Sequence, residues 1–157
     1  MNTNPESACN ASVNLSRVFN TNVQHLFECF TQPELIARWW GPEGTTCPRA
    51  QADLQVGGKY RFVIQGATGN ELNVVHGEYL VVEPPERLVF TWAWEDNAAE
   101  VTQVTLLFRP VGEKQAEVAL THELFLTAER ASAHRDGWGS SLECLAYLLE
   151  QLSEGDE

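Results

Sequence analysis

Positive charge is scarce in this sequence. Of 157 residues, 10 are Lys or Arg and 22 are Asp or Glu, giving a formal net charge of −12. Binding a phosphate backbone needs a basic patch, so no nucleic-acid partner is expected. The same deficit argues against docking on an anionic membrane. Long apolar runs are also missing: no stretch approaches the ~20 residues that a bilayer-spanning helix needs. The opening MNTNPESACNAS has neither a basic n-region nor an apolar h-region. No secretory signal is read there, and a cytoplasmic location is expected. Cysteine is sparse and irregular, at Cys9, Cys29, Cys47 and Cys144 with no C-x-x-C, which predicts free thiols. His25 and Cys29 have metal-ligand spacing on a helix, but no second pair accompanies them, so no metal site is expected. Cys47 precedes Pro48 and shows no activating partner, so it is not read as a nucleophile. Neither G-x-S-x-G nor a P-loop pattern occurs, and no cofactor is expected.

Aromatic bulk is what the chain has in quantity: five Trp, seven Phe and three Tyr. With 43% hydrophobic and 20% charged residues, the composition is that of an ordinary globular protein. The length fits one domain, large enough to bury roughly two-thirds of its unfolded surface without a staple. The expected domain covers residues 12–152, between a disordered segment 1–11 and a frayed acidic tail 153–157.

The apolar pattern changes period twice. Residues 12–19 alternate, with Val13, Leu15, Val18 and Phe19 apolar, and predict a first strand. Asn20-Thr21-Asn22 then offers caps for a helix carrying Val23, Leu26, Phe27 and Phe30 on one face. A second short helix follows, with Thr31 or Gln32 at its cap and Pro33 in its first turn, where the missing N–H costs nothing. Leu35, Ile36, Trp39 and Trp40 form its apolar face, and Gly41-Pro42 stops it. From about 45 to 124 the period is two, through roughly six strands. Gly57-Gly58 turns the chain and Pro84-Pro85 ends the strand 72–82, whose mixed parity near Tyr79 suggests a bulge. Leu88, Phe90, Trp92 and Trp94 share a face. So do Val118, Leu120, His122 and Leu124. Finally Trp138, Leu142, Leu145, Leu149 and Leu152 predict a long amphipathic helix capped by Asp136, with Thr127–His134 a separate lead-in and Gly137 the break.

Strands joined by tight turns make an antiparallel meander, and a curved sheet of this kind needs a cover for its apolar face. The terminal helix is that cover. One helix is only about 10 Å across, so the remaining space is either packed by aromatics or left as a pocket. Trp39 and Trp40 are candidates for a pocket rim or a partner surface; the plainer reading packs one beneath the sheet and sets the other at the cavity edge. Tyr60, Phe62, Tyr79, Phe90, Trp92 and Trp94 line either a pocket or a plain aromatic core. His122, on the inward face, is the best single candidate for a ligand-orienting or acid–base group. Its alternative is a core histidine with satisfied ring nitrogens. Arg61, Arg87 and Arg109 are read as local ion-pair partners.

Several motifs in order resemble a known family: Trp39-Trp40-Gly41-Pro42; Asp53-x-x-x-Gly57-Gly58-x-Tyr60; Gly77-Glu-Tyr79; Pro84-Pro85-Glu86-Arg87-Leu88-Val89-Phe90-Thr91-Trp92; Leu120-Thr121-His122-Glu123; and Gly137-Trp138-x-x-x-Leu142-x-x-Leu145. From about residue 12 to 152 the chain is similar to the AHSA-type family (activator of Hsp 90 ATPase homologue, C-terminal-domain-like) of the START-like, or SRPBCC, superfamily. The resemblance implies an α+β helix-grip (Bet v-like) fold: a curved antiparallel sheet of six or seven strands around a long C-terminal helix, with two short helices after the first strand. It implies a small hydrophobic ligand held between sheet and helix, in a site drawn from Trp39, Trp40, Tyr60, Phe62, Tyr79, Phe90, Trp92, His122, Trp138, Leu142 and Leu145. Two alternatives accompany it. One is a cyclase-like enzyme using His122 with Tyr60 or Tyr79. The other is a co-chaperone acting on an Hsp 90-type ATPase, although 157 residues leave no length for the N-terminal domain that the eukaryotic co-chaperone carries. A homodimer through exposed strand or helix surface is a further expectation.

Overall fold

A computed structural model describes residues 11–42, 44–66 and 72–155. The expected disordered start and the last two residues of the acidic tail lie outside the described residues. The chain runs β1 (Ala11–Phe19), α1 (Val23–Cys29), α2 (Pro33–Trp39), then β2 (Thr46–Ala52), β3 (Lys59–Gln65), β4 (Leu72–Glu83), β5 (Arg87–Trp94), β6 (Asn97–Gly112) and β7 (Gln115–Phe125), and closes with α3 (Ala128–Gly155). All seven strands form one antiparallel sheet in the order β1-β7-β6-β5-β4-β3-β2. This is the curved open sheet and long terminal helix of the helix-grip fold.

Local chemistry explains the short elements. Asn22 caps α1, its side-chain oxygen accepting from His25 N–H at 2.7 Å. Pro33 sits in the first turn of α2 behind Gln32, and Gly41, at φ +109°, ends that segment in a conformation a side chain would resist. α3 lies along β1 and β7 and reaches α2. It buries Trp138, Leu142, Leu145, Leu148 and Leu149 against the sheet's inner face, joined there by Leu88, Val104, Leu106, Val118 and Leu120. Each fully buried leucine contributes about 1.5–3 kcal/mol. The bulge expected near Tyr79 falls between Tyr79 and Val81. Arg61, Arg87 and Arg109 pair with Glu95, Glu83 and Glu117, all near the surface.

Two sequence expectations are corrected. The lead-in and the terminal helix are one helix, with no break at Gly137. Thr127, not Asp136, caps it: its Oγ1 accepts from Arg130 N–H at 3.1 Å. A helical glycine costs about 1 kcal/mol relative to alanine, which the burial of Trp138 and Leu142 exceeds. Leu124 does not share the inward face of His122. It adopts φ +75° and is exposed, while Phe125 is fully buried. The pairing slips here, from Val13 opposite His122 to Ala11 opposite Phe125, so β7 carries an extra residue and its parity flips.

Candidate functional site

The inner face divides at Trp40, which follows α2. Its ring touches Phe62 at 4.8 Å on one side, and Trp138 at 5.5 Å and Trp92 at 6.0 Å on the other. Beyond Phe62 the aromatics close up. The Tyr60 ring lies 4.8 Å from Phe62, 5.6 Å from Tyr79 and, edge to face, 5.3 Å from Phe90. The gap among these rings has no room for a water molecule. Gly77 permits the closeness, since a Cβ there would collide with the Thr91 carbonyl and crowd the Tyr60 ring. Tyr60 Oη–H donates to that carbonyl at 2.6 Å. Burial raises the Tyr60 and Tyr79 hydroxyls above the ordinary tyrosine range.

On the other side of Trp40 a cleft of about 260 Å³ remains. Trp92 and Trp94 of β5 form one wall. Trp40, Gly41 and Pro42 form the second. His134, Gly137, Trp138 and Ser141 of α3 form the third, and Ile64 and Ala133 also line the space. The helix residues are spaced by three or four, so they share one face of α3. Among the described residues, no Asp, Glu, Lys or Arg lines the cleft.

Behind the cleft lies a directional hydrogen-bond chain. Trp138 Nε1–H donates to His122 Nδ1 at 3.0 Å. Nδ1 is therefore unprotonated, and the neutral ring carries its proton on Nε2. Nε2–H donates to Thr102 Oγ1 at 2.7 Å, and Thr102 Oγ1–H donates to the Trp92 carbonyl at 3.2 Å. His122 is fully buried, and that burial, followed by the nearby His134, pushes its pKa down to about 2. His134 repeats the scheme at the cleft surface. Nδ1–H donates to the Arg130 carbonyl at 2.8 Å, and Nε2 accepts from Trp94 Nε1–H at 2.9 Å. Burial also lowers its pKa. Phe125, brought inward by the Leu124 bulge, packs 4.3 Å from His122 and 4.7 Å from His134. Both imidazoles are thus neutral, and each spends both nitrogens on the protein.

Of the residues singled out in the sequence, Trp40, Trp92 and Trp138 meet at the cleft. Tyr60, Phe62, Tyr79 and Phe90 lie in the packed region. Leu142 and Leu145 are buried on α3 below Trp138, and Trp39 turns the other way, Nε1–H donating to the Cys29 carbonyl at 2.9 Å. His122 stands behind the cleft with its nitrogens engaged. Trp94, expected with Trp92 in either a pocket or a plain aromatic core, lines the cleft. His134 and Ser141 were not singled out, although their spacing from Trp138 was the signal that could have found them. His25 bonds Thr21 at 2.9 Å, Cys29 is fully buried with its thiol pushed up to about 12, and Cys47 is pushed up to about 11 by burial. Among the described residues no three metal-ligating side chains gather, and no helix is long and apolar enough to cross a membrane.

Known proteins place this geometry in context. No curated protein sequence matches the chain. A crystal structure of the AHSA1 protein from Silicibacter pomeroyi is 31% identical with a TM-score of 0.79, covering 90% of this chain and 99% of its own. A crystal structure from Chromobacterium violaceum is 25% identical with a TM-score of 0.77, covering 87% and 96%. An HSP90 activator from Plasmodium falciparum is 26% identical with a TM-score of 0.59, covering 73% and 74%. The family model described as "Activator of Hsp90 ATPase homolog 1-like protein" matches residues 20–150. The chain belongs to that family, within the START-like superfamily.

Proposed function

We propose that the protein binds a small, mostly apolar molecule in the cleft between Trp40, β5 and the first half of α3. The observation that carries this reading is the cleft itself: about 260 Å³ of space walled by Trp40, Trp92, Trp94 and Trp138, beside a region where similar rings leave none. Ligand sites are concave, mostly apolar and supplied with a few polar groups, and this cleft offers His134 and Ser141. Its volume falls just under the ~300–1,000 Å³ usual for drug-sized ligands, which favours a compact guest.

Gly137 supplies the test. A Cβ added there meets nothing within 4 Å, so Gly137→Leu fills the cleft from the helix while improving helix propensity. A panel of compact uncharged hydrocarbons and ketones is screened by thermal unfolding of the full chain. A ligand at 100 times its Kd adds about 2.7 kcal/mol, a rise of roughly 5–10 °C for a chain of this size. The rise should vanish in Gly137→Leu. A panel without any stabilising member, or a rise that survives the substitution, removes this reading.

The cyclase-like alternative needs a free nitrogen on His122, and no observation favours it. A co-chaperone role is favoured by the likeness to the Plasmodium falciparum HSP90 activator. It requires that the chain stimulate an Hsp90-type ATPase in a direct assay, and an unchanged rate ends it.

A further inference from the structure

Trp92 Nε1 is buried and has no hydrogen-bond acceptor among the described residues. Trp92 is only 6% exposed, yet it lines the cleft. Its ring neighbours cannot help. Trp40, Trp94 and Trp138 carry indole N–H groups, which donate and do not accept. His122 and His134 each have one accepting nitrogen, taken by Trp138 and Trp94. A buried donor left without a partner bears its full desolvation cost, and such groups are rare in folded proteins. The nitrogen is covered; of the neighbouring tryptophan rings Trp94, 5.6 Å away, is the one that is not fully buried, and a guest that shifts it does so against its bond to His134.

Among the described residues the lining has no charged side chain, and its imidazole is held neutral by its own bonds. A charged guest would lose its hydration without gaining a counter-charge, and the chain's net charge of −12 further disfavours an anion. Building on the reading that the cleft holds a small molecule, we propose that its ligands are uncharged and carry a hydrogen-bond acceptor, a carbonyl or its equivalent, that Trp92 Nε1–H engages.

Three compounds of one skeleton test this on the full, ¹⁵N-labelled chain: 1-indanone, indane and indane-2-carboxylate, titrated by NMR. 1-Indanone should bind about tenfold tighter than indane, since it gains the hydrogen bond and relieves the orphaned donor. It should move the Trp92 indole proton downfield, whereas indane leaves that proton without an acceptor. The carboxylate should bind more weakly than either. In Trp92→Phe, which removes the N–H and no existing hydrogen bond, the ketone's advantage should fall to within about twofold. If indane and 1-indanone bind equally and the indole proton does not move downfield, the acceptor is not recognised and the inference fails, while the cleft reading stands. Carboxylate binding as tight as the ketone's also overturns it. No binding by either uncharged compound sinks both. Should Trp92→Phe fail to fold, the indole shift and affinity ratio in the unsubstituted chain decide alone.

Discussion

Tyr60, Phe62, Tyr79 and Phe90 on one side of Trp40, and Trp92, Trp94 and Trp138 on the other, are all aromatic. They give opposite results: a region with no room for water and a cleft of about 260 Å³. Two glycines mark the difference. Gly77 is crowded by the Thr91 carbonyl and the Tyr60 ring, whereas Gly137 faces open space. Hydrogen bonding differs as well. The cleft side contains two committed imidazoles and an orphaned indole N–H. Aromatic density therefore says little about where a guest can sit. The polar groups tied to the rings say more, because each fixes its ring in place and limits how far the wall can collapse.

The sharpest test of this contrast is truncation on each side. Phe90→Ala should cost about 3–5 kcal/mol, because a closed ring cluster cannot collapse into the hole. Trp94→Ala should cost less than half as much, since its ring is only partly buried and already borders space. Urea unfolding of both variants checks the pair, and equal losses would erase the distinction. Next in size is His122→Leu, which strands the Trp138 N–H and leaves Thr102 without its donor. A loss of about 2–4 kcal/mol is expected, from one to two unpaired buried groups. A loss below 1 kcal/mol would mean that Trp138 finds another acceptor.

Acid should act on the cleft side before the packed side. The folded pKa of His122, about 2, lies below the ordinary histidine value, and that of His134 is lowered too. Their contribution is therefore full above pH ~6.5 and is lost as pH falls, because the unfolded chain takes up protons that the folded one refuses. His122 alone should remove about 1.4 kcal/mol per pH unit below 6.5. Urea midpoints at pH 7.5, 6.5 and 5.5 isolate the histidines, as carboxylates titrate lower. A flat profile would place a proton on folded His122. The smallest effect is expected at the bulge that turns Phe125 onto both imidazoles. Leu124→Gly relieves φ +75° and should stabilise by up to about 1 kcal/mol, read in the same experiment. Destabilisation would show that the leucine side chain contributes more than its backbone costs.

Much of the fold could be read from periodicity. The alternation in β3, β5, β6 and β7 and the leucine spacing of α3 follow directly from burial on one face. Two features could not. Leu124 obeys the alternation in sequence, and only the extra residue in the β1–β7 pairing sends it outward. Gly137 looks like a helix break because propensity is local, while the contacts that carry α3 through it come from distant strands. The site was half legible. Trp40, Trp92 and Trp138 emerged as aromatics, but packed and open rings share one pattern, so Tyr60 and Phe90 could not be separated from them. Whether His122 had a free nitrogen depended on Trp138 and Thr102, which lie 16 and 20 residues away in the chain.

All five tryptophans belong to one chain of neighbours, from Trp39 through Trp40 to Trp92, Trp94 and Trp138. Their light emission therefore comes almost wholly from the place where a guest would settle, and excitation can pass between rings spaced this closely. The protein carries its own optical reporter, and any molecule entering beside Trp92 should dim or recolour the whole signal at once.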